Sequence, residues 1–180
     1  MSARPVDLRG VLGSLHDHRV DYVLFGSAAM LFYGYIRATE DIDLVVRDSE
    51  ENLRRVHDWL VSLDAHLALR PARRFGARER WGMLKGSNVT VLTNCGQLDV
   101  VQRLPGLPDW DRLVADSELY EREGMRIQVM NRRTLIELKP PPRLAAGPGR
   151  HRGDRATGTP GRVDGLPFAQ STLGSACLGF

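Results

Sequence analysis

The sequence has 180 residues, 42% of them hydrophobic and 26% charged, which are the proportions of a globular protein with one domain. Its apolar runs are shorter than the roughly 20 residues that span a bilayer, and residues 1–12 lack a secretory signal, so we expect a cytoplasmic protein without a membrane segment. The net charge of +3 equals the surplus of five arginines over two aspartates after Lys139. The sequence has only two cysteines, which excludes a disulfide framework or a cysteine-rich zinc site.

Two strands and three helices are predicted in the first 63 residues. Apolar residues at helical spacing predict an amphipathic helix over residues 6–15 and another over residues 49–63. The apolar segment Tyr22–Phe25 is predicted to be a buried strand, and the Gly-Ser pair after it opens a short helix that ends at Gly34. Residues 41–46 begin with alternating acidic and apolar side chains and form the second strand.

Strands are predicted to dominate the following part of the chain. An arginine-rich segment, residues 70–85, is predicted to be a loop whose positive charge could meet phosphates. Residues 89–92 and 97–101 are predicted to pair around a tight turn. The remaining elements are a short helix, a β-hairpin and a last helix, at residues 110–114, 119–129 and 131–139.

The character of the sequence changes after Lys139. Residues 140–180 hold six of the ten prolines and eight of the eighteen glycines, without apolar periodicity. Helices seldom continue into a run of three prolines, because proline lacks a donor and restricts the residue before it. We therefore expect a folded domain over residues 1–139 and a disordered tail over residues 140–180. A reading-frame slip in a GC-rich gene is one explanation of this change.

The order of a strand, the pair Gly26-Ser27 and a helix is typical of a phosphate-binding turn. Glycine lets the backbone approach a triphosphate, and the helix N-terminus supplies N–H groups without helical acceptors. The Ser27 hydroxyl adds a donor, and capping of the helix is compatible with that role. The pair is therefore predicted to hold the phosphates of a nucleotide whose pyrophosphate is the leaving group.

Three aspartates are the candidate metal ligands. Asp41 and Asp43 lie two residues apart on one strand, roughly 6 to 7 Å along its axis, and project from the same face. Carboxylates suit magnesium, with manganese as an alternative, and two ions would orient the phosphates and activate an attacking hydroxyl. Asp99 lies on a strand of apolar neighbours, where an unpaired carboxylate is costly. It would be the third ligand and could accept the proton of the nucleophile.

These motifs resemble the signature of the DNA polymerase β-like nucleotidyltransferase superfamily. The signature is a hydrophobic residue, Gly, Gly or Ser, a spacer and then Asp-hydrophobic-Asp-hydrophobic, and residues 25–44 are similar to it. Residues 97–101 are similar to the strand that bears the third carboxylate. The resemblance covers about residues 20–139 and implies an α/β (α+β) fold, with a mixed sheet of about five strands and helices mainly on one face. It also implies transfer of a nucleoside monophosphate from an NTP to an acceptor hydroxyl.

Within the superfamily, the chain is most similar to small bacterial proteins related to the abortive-infection toxins of type IV toxin–antitoxin systems. In those proteins a helix that ends in Leu-x-x-Leu-Lys carries a lysine that contacts the nucleotide, and Leu135 to Lys139 resembles that element. The resemblance thus implies Lys139 as a nucleotide contact, although a lysine at a helix end also matches the helix dipole. It further implies an RNA or protein acceptor and a cognate antitoxin.

Two alternatives remain open on the sequence. A more remote resemblance is to aminoglycoside nucleotidyltransferases, which would need an acidic pocket for a polycationic substrate. A catalytically silent nucleotide-binding module is the other alternative, and the three intact aspartates argue against it. A toxin that acts on RNA would instead need a basic groove, for which residues 70–85 are the candidate.

Overall fold

The computed structural model describes residues 6–35, 39–76 and 81–138. The predicted nucleotide contact Lys139 and the predicted tail, residues 140–180, lie outside the described residues. In chain order the helices and strands are α1 (Leu8–Asp17), β1 (Tyr22–Phe25), α2 (Gly26–Met30), β2 (Asp41–Val46), α3 (Glu50–Ser62), β3 (His66–Leu67), β4 (Arg70–Arg74), β5 (Val89–Thr93), β6 (Gly96–Val101), α4 (Trp110–Ala115), β7 (Glu118–Arg122), β8 (Met125–Val129) and α5 (Arg132–Leu138). Short 3-10 turns occur at Leu31–Tyr33 and Trp81–Leu84.

A single mixed sheet organises the described part of the chain, in the order β4-β3-β5-β6-β2-β1-β8-β7. The predicted mixed α+β architecture is therefore confirmed, but the prediction of about five strands is wrong because the sheet has eight. The sequence predicts neither β3 nor β4, and β4 lies in the arginine-rich segment, for which it predicts a loop. The structure identifies these strands by their backbone pairing. The sequence does not predict them, because a two-residue strand and an arginine-rich strand lack the alternation of apolar residues on which the prediction depends.

The helices begin where polar side chains cap them. Asp7 accepts a hydrogen bond from the Gly10 N–H at the start of α1, and Ser49 caps α3 by accepting from Asn52. Each of the two helices buries one apolar face, and α1 packs against β8 while α3 packs against β2. No helix in the three described ranges combines the length and apolar character needed to cross a membrane.

The strands β1, β2 and β6 position the predicted site. β2 pairs with β1 in antiparallel fashion and with β6 in parallel fashion. Buried apolar side chains alternate along both members of the parallel pair, and Ile42, Leu44 and Leu98 are completely buried. Because successive residues of a strand point to opposite faces, the residues between them project together from the other face of the sheet.

Asn52 is the buried polar residue that ties α3 to the sheet. Its side-chain amide donates to the carbonyl oxygens of Asp21 at 2.9 Å and Arg47 at 3.0 Å, and its Oδ1 accepts from the Asp21 N–H at 2.7 Å. Asp21 precedes β1 and Arg47 follows β2, so one side chain joins the adjacent ends of two paired strands. Asn52 has no exposed surface, and its hydrogen bonds therefore form without competition from water.

We expect the substitution Asn52→Ala to lower the free energy of unfolding by about 2–4 kcal/mol, since it removes three hydrogen bonds that a completely buried side chain makes. Urea denaturation followed by circular dichroism measures the change. Glu51→Ala is the matched control on the same helix, where the exposed ion pair with Arg55 contributes less than about 1 kcal/mol. Equal losses in both variants would contradict a structural role for Asn52.

Candidate metal centre

Strand pairing brings the three predicted aspartates together. In the parallel register of β2 and β6, Asp43 lies directly opposite Asp99, and Asp41 lies opposite Gln97. Each of the three aspartates offers a carboxylate oxygen, and these oxygens all lie within 4.8 Å of one another. All three residues are half-buried. They form the acidic cluster, and the described residues contain no other group of three or more acidic, histidine or cysteine side chains so arranged.

Each carboxylate of the acidic cluster receives a hydrogen bond from a neighbouring element. The Ser27 hydroxyl lies 3.5 Å from Asp41 Oδ1, and the Ser27 backbone N–H bonds to Asp43. The Thr90 hydroxyl donates to Asp99 Oδ1 at 2.5 Å. Ser27 belongs to the first turn of α2 and Thr90 to β5, so the cluster is supported from both sides.

Burial and mutual repulsion raise the pKa of Asp43 from 3.8 to about 7. Loss of hydration makes the largest contribution, and the negative charges of Asp41 and Asp99 add to it, while the Ser27 N–H acts in the opposite direction. A cation among the three carboxylates would relieve this repulsion. Three convergent carboxylates are also ligands that hard divalent cations prefer, so the residues present fit such an ion.

Gly26 permits the close approach of α2 to the acidic cluster. Its φ of +67° lies in the left-handed region that favours glycine. A Cβ atom at this position would lie 1.9 Å from Asp43 Oδ2, which is far inside contact distance. The sequence predicts a glycine here because a phosphate must approach the backbone. In the structure, the Asp43 carboxylate already leaves no room for a side chain at position 26.

The structure brings five of the six predicted site residues together, while the sixth, Lys139, lies outside the described residues. Thr90 is the residue at the site that sequence reasoning missed. A signal for it was available, because a β-hairpin that turns at residues 93–96 pairs Thr90 with Asp99.

A pocket of about 800 Å³ is lined by none of the three aspartates of the acidic cluster. Its wall includes α4 and α5, where Arg112 pairs with Asp116 at 3.6 Å and Arg133 pairs with Glu137 at 3.0 Å. These ion pairs therefore neutralise part of the charge of the pocket wall. The convergence of carboxylates, rather than cavity size, identifies the candidate centre.

The chain is similar in structure to several solved proteins. No protein-family model and no curated protein matches the chain. A proposed nucleotidyltransferase from Thermotoga maritima is 16% identical, with a TM-score of 0.47 over 72% of this chain and 78% of its own. A proposed nucleotidyltransferase from Helicobacter pylori and the Helicobacter pylori protein JHP933 are both 21% identical, with TM-scores of 0.37 and 0.38. The chain spans about half of each Helicobacter protein, 53% and 51%.

We expect Gly26→Ala to destabilise the protein and to weaken its affinity for Mn²⁺, because the new methyl group displaces the Asp43 carboxylate. Gly34→Ala is the matched control, since Gly34 also has a positive φ, of 83°, but nothing lies within 4 Å of an added Cβ. The control should lose only the roughly 1–2 kcal/mol of stability that a left-handed conformation costs an alanine, and it should keep its Mn²⁺ affinity. Chemical denaturation and calorimetric titration test both variants, and identical behaviour would show that the Asp43 contact is unimportant.

The raised pKa of Asp43 predicts that, in the presence of a chelator, stability falls as the pH rises. The folded state holds the Asp43 proton up to about pH 7, whereas the unfolded chain releases it near 3.8. Stability should therefore fall between about pH 5 and pH 8, by an amount that solvent screening of the partly exposed carboxylate reduces. Asp43→Asn should abolish that part of the dependence, and thermal denaturation across the range measures it. An unchanged pH profile in the variant would contradict the prediction.

Proposed function

We propose that the chain is a metal-dependent nucleotidyltransferase that moves a nucleoside monophosphate from an NTP to an acceptor hydroxyl. The observation that carries the proposal is the convergence of three carboxylates within 4.8 Å beside the first turn of α2. Adjacent phosphate-binding and metal-binding groups are what phosphoryl transfer needs, since its catalysis consists mainly of positioning and charge stabilisation. The resemblance of residues 25–44 to the superfamily signature supports the same activity.

Asp41, Asp43 and Asp99 would hold the metal, and magnesium is the proposed ion, with manganese as a substitute. When bound, two such ions would neutralise the charge of the triphosphate and lower the pKa of the acceptor hydroxyl. The three carboxylates of the acidic cluster fit at least one such ion. Asp43 in particular is the ligand whose negative charge depends on a cation near neutral pH, because its pKa is about 7 without one.

The protein's own residues define the proposed step. α2 begins at Gly26 without a side-chain cap, so its first turn could offer N–H groups to phosphate oxygens, apart from the Ser27 N–H that bonds to Asp43. The acceptor oxygen forms a bond to the α-phosphorus, and the bond from that phosphorus to the bridging oxygen of the leaving pyrophosphate breaks. Asp99 accepts the proton of the acceptor hydroxyl.

The acceptor is proposed to be an RNA or a protein, and the physiological role that of the toxin in a toxin–antitoxin pair, with a cognate antitoxin as partner. Support for this role comes from the similarity of residues 135–139 and of the superfamily signature to the abortive-infection toxins. We also propose that Lys139 contacts the nucleotide phosphates and that the protein acts in the cytoplasm. Incubation with each α-labelled NTP and either total RNA or total protein would reveal the acceptor class.

We expect Asp41→Asn, Asp43→Asn and Asp99→Asn each to reduce label transfer by at least about 100-fold, because each removes a charged ligand. Asp58→Asn is the control, since its carboxylate is 76% exposed on α3 and lies outside the cluster. Circular dichroism confirms that the variants are folded. Wild-type transfer rates in any variant of the cluster would contradict the proposed mechanism.

A further inference from the structure

We propose that Thr90 is a positioning residue that fixes the Asp99 carboxylate for metal binding. The inference rests on the proposed function, because it assigns a task to a side chain next to one of the proposed ligands. Thr90 lies opposite Asp99 in the antiparallel pairing of β5 with β6, and its hydroxyl donates to Asp99 Oδ1.

The backbone around Thr90 is held on both edges. On one side β5 pairs with β6 over five residue pairs, and on the other the Thr90 carbonyl oxygen accepts a hydrogen bond from the Ala68 N–H at 3.0 Å. Threonine is also β-branched, so its χ1 angle is restricted. The hydroxyl is therefore presented to Asp99 from a fixed position, and little conformational freedom is lost when the hydrogen bond forms.

The Asp99 carboxylate needs such a partner. The χ2 torsion of an aspartate is broad, so the carboxylate can rotate unless a hydrogen bond fixes it. Repulsion from Asp41 and Asp43 favours rotation away from the cluster, whereas the Thr90 hydroxyl holds one oxygen in place. Hydrogen bonds of this kind orient metal ligands before the ion arrives, and their removal typically weakens metal binding by about 10–100-fold.

Two of the three carboxylates, those of Asp41 and Asp99, have a hydroxyl group close to them. Ser27 lies 3.5 Å from Asp41 Oδ1, at the limit of a hydrogen bond, while Thr90 lies 2.5 Å from Asp99 Oδ1. The Ser27 contact is longer than the usual O–H···O hydrogen bond, so the Thr90 hydroxyl is the one that orients a carboxylate. Asp99 is also the carboxylate contributed by a different strand from the other two, so its orientation decides whether the β6 ligand meets the β2 ligands.

Thr90→Val and Thr90→Ser in the full-length chain test the proposal, with calorimetric titration of Mn²⁺ as the readout. Valine keeps the branched shape without the hydroxyl and should weaken Mn²⁺ affinity about 10-fold or more. Serine keeps the hydroxyl and should retain affinity within about 3-fold of the wild type. Thr93→Val is the control on the same strand, since the Thr93 hydroxyl donates to the Gly96 carbonyl oxygen and not to the cluster.

The possible outcomes distinguish a failure of the positioning role of Thr90 from a failure of the proposed function. Wild-type affinity in Thr90→Val, combined with a loss in Asp99→Asn, would overturn the positioning role and leave the metal site intact. Wild-type affinity in Asp99→Asn, or no Mn²⁺ binding by the unmodified protein, would overturn the proposed metal site itself. Reduced affinity in Thr90→Val with recovery in Thr90→Ser and no loss in Thr93→Val supports the proposal.

Discussion

The parallel pairing of β2 with β6 is the constraint on which the site depends. Apolar residues on one face of this pair, such as Ile42 and Leu98, are completely buried, and they fix the register. A slip by one residue would exchange the faces and expose them to water. The same register forces Asp43 against Asp99, although like charges repel. Burial of apolar surface therefore stabilises an arrangement of carboxylates that is unfavourable in itself.

Electrostatic repulsion and a close backbone approach accompany this arrangement. Gly26 adopts a left-handed conformation beside Asp43, and Asp43 retains its proton to about pH 7. The repulsion among the carboxylates lowers the stability of the protein without a cation, whereas the left-handed conformation is readily adopted at Gly26 because glycine has no Cβ atom. Such a compromise is common at functional sites, where the surrounding structure compensates for an unfavourable centre. Asn52 and the apolar core supply that compensation at some distance from the charge.

The sequence predicts short-range features of the fold better than long-range ones. Alternation places Asp41 and Asp43 on one face without reference to any other strand, and the turn after Thr93 pairs Thr90 with Asp99. In contrast, the pairing of β2 with β6 joins residues that are 56 positions apart, and no local pattern defines its register. β4 was missed for a different reason, since its sequence Arg-Pro-Ala-Arg-Arg lacks the apolar alternation of a half-buried strand.

The two outermost strands of the sheet also affect self-association. β4 and β7 form the edges, and an exposed edge offers unpaired N–H and carbonyl groups to a second chain. Three arginines and a proline occur in β4, and proline cannot donate a hydrogen bond to an added strand. In β7, Glu118, Glu121 and Arg122 are exposed and charged. The charged residues and the proline thus disfavour edge-to-edge pairing at both edges of the eight-stranded sheet that the described residues form.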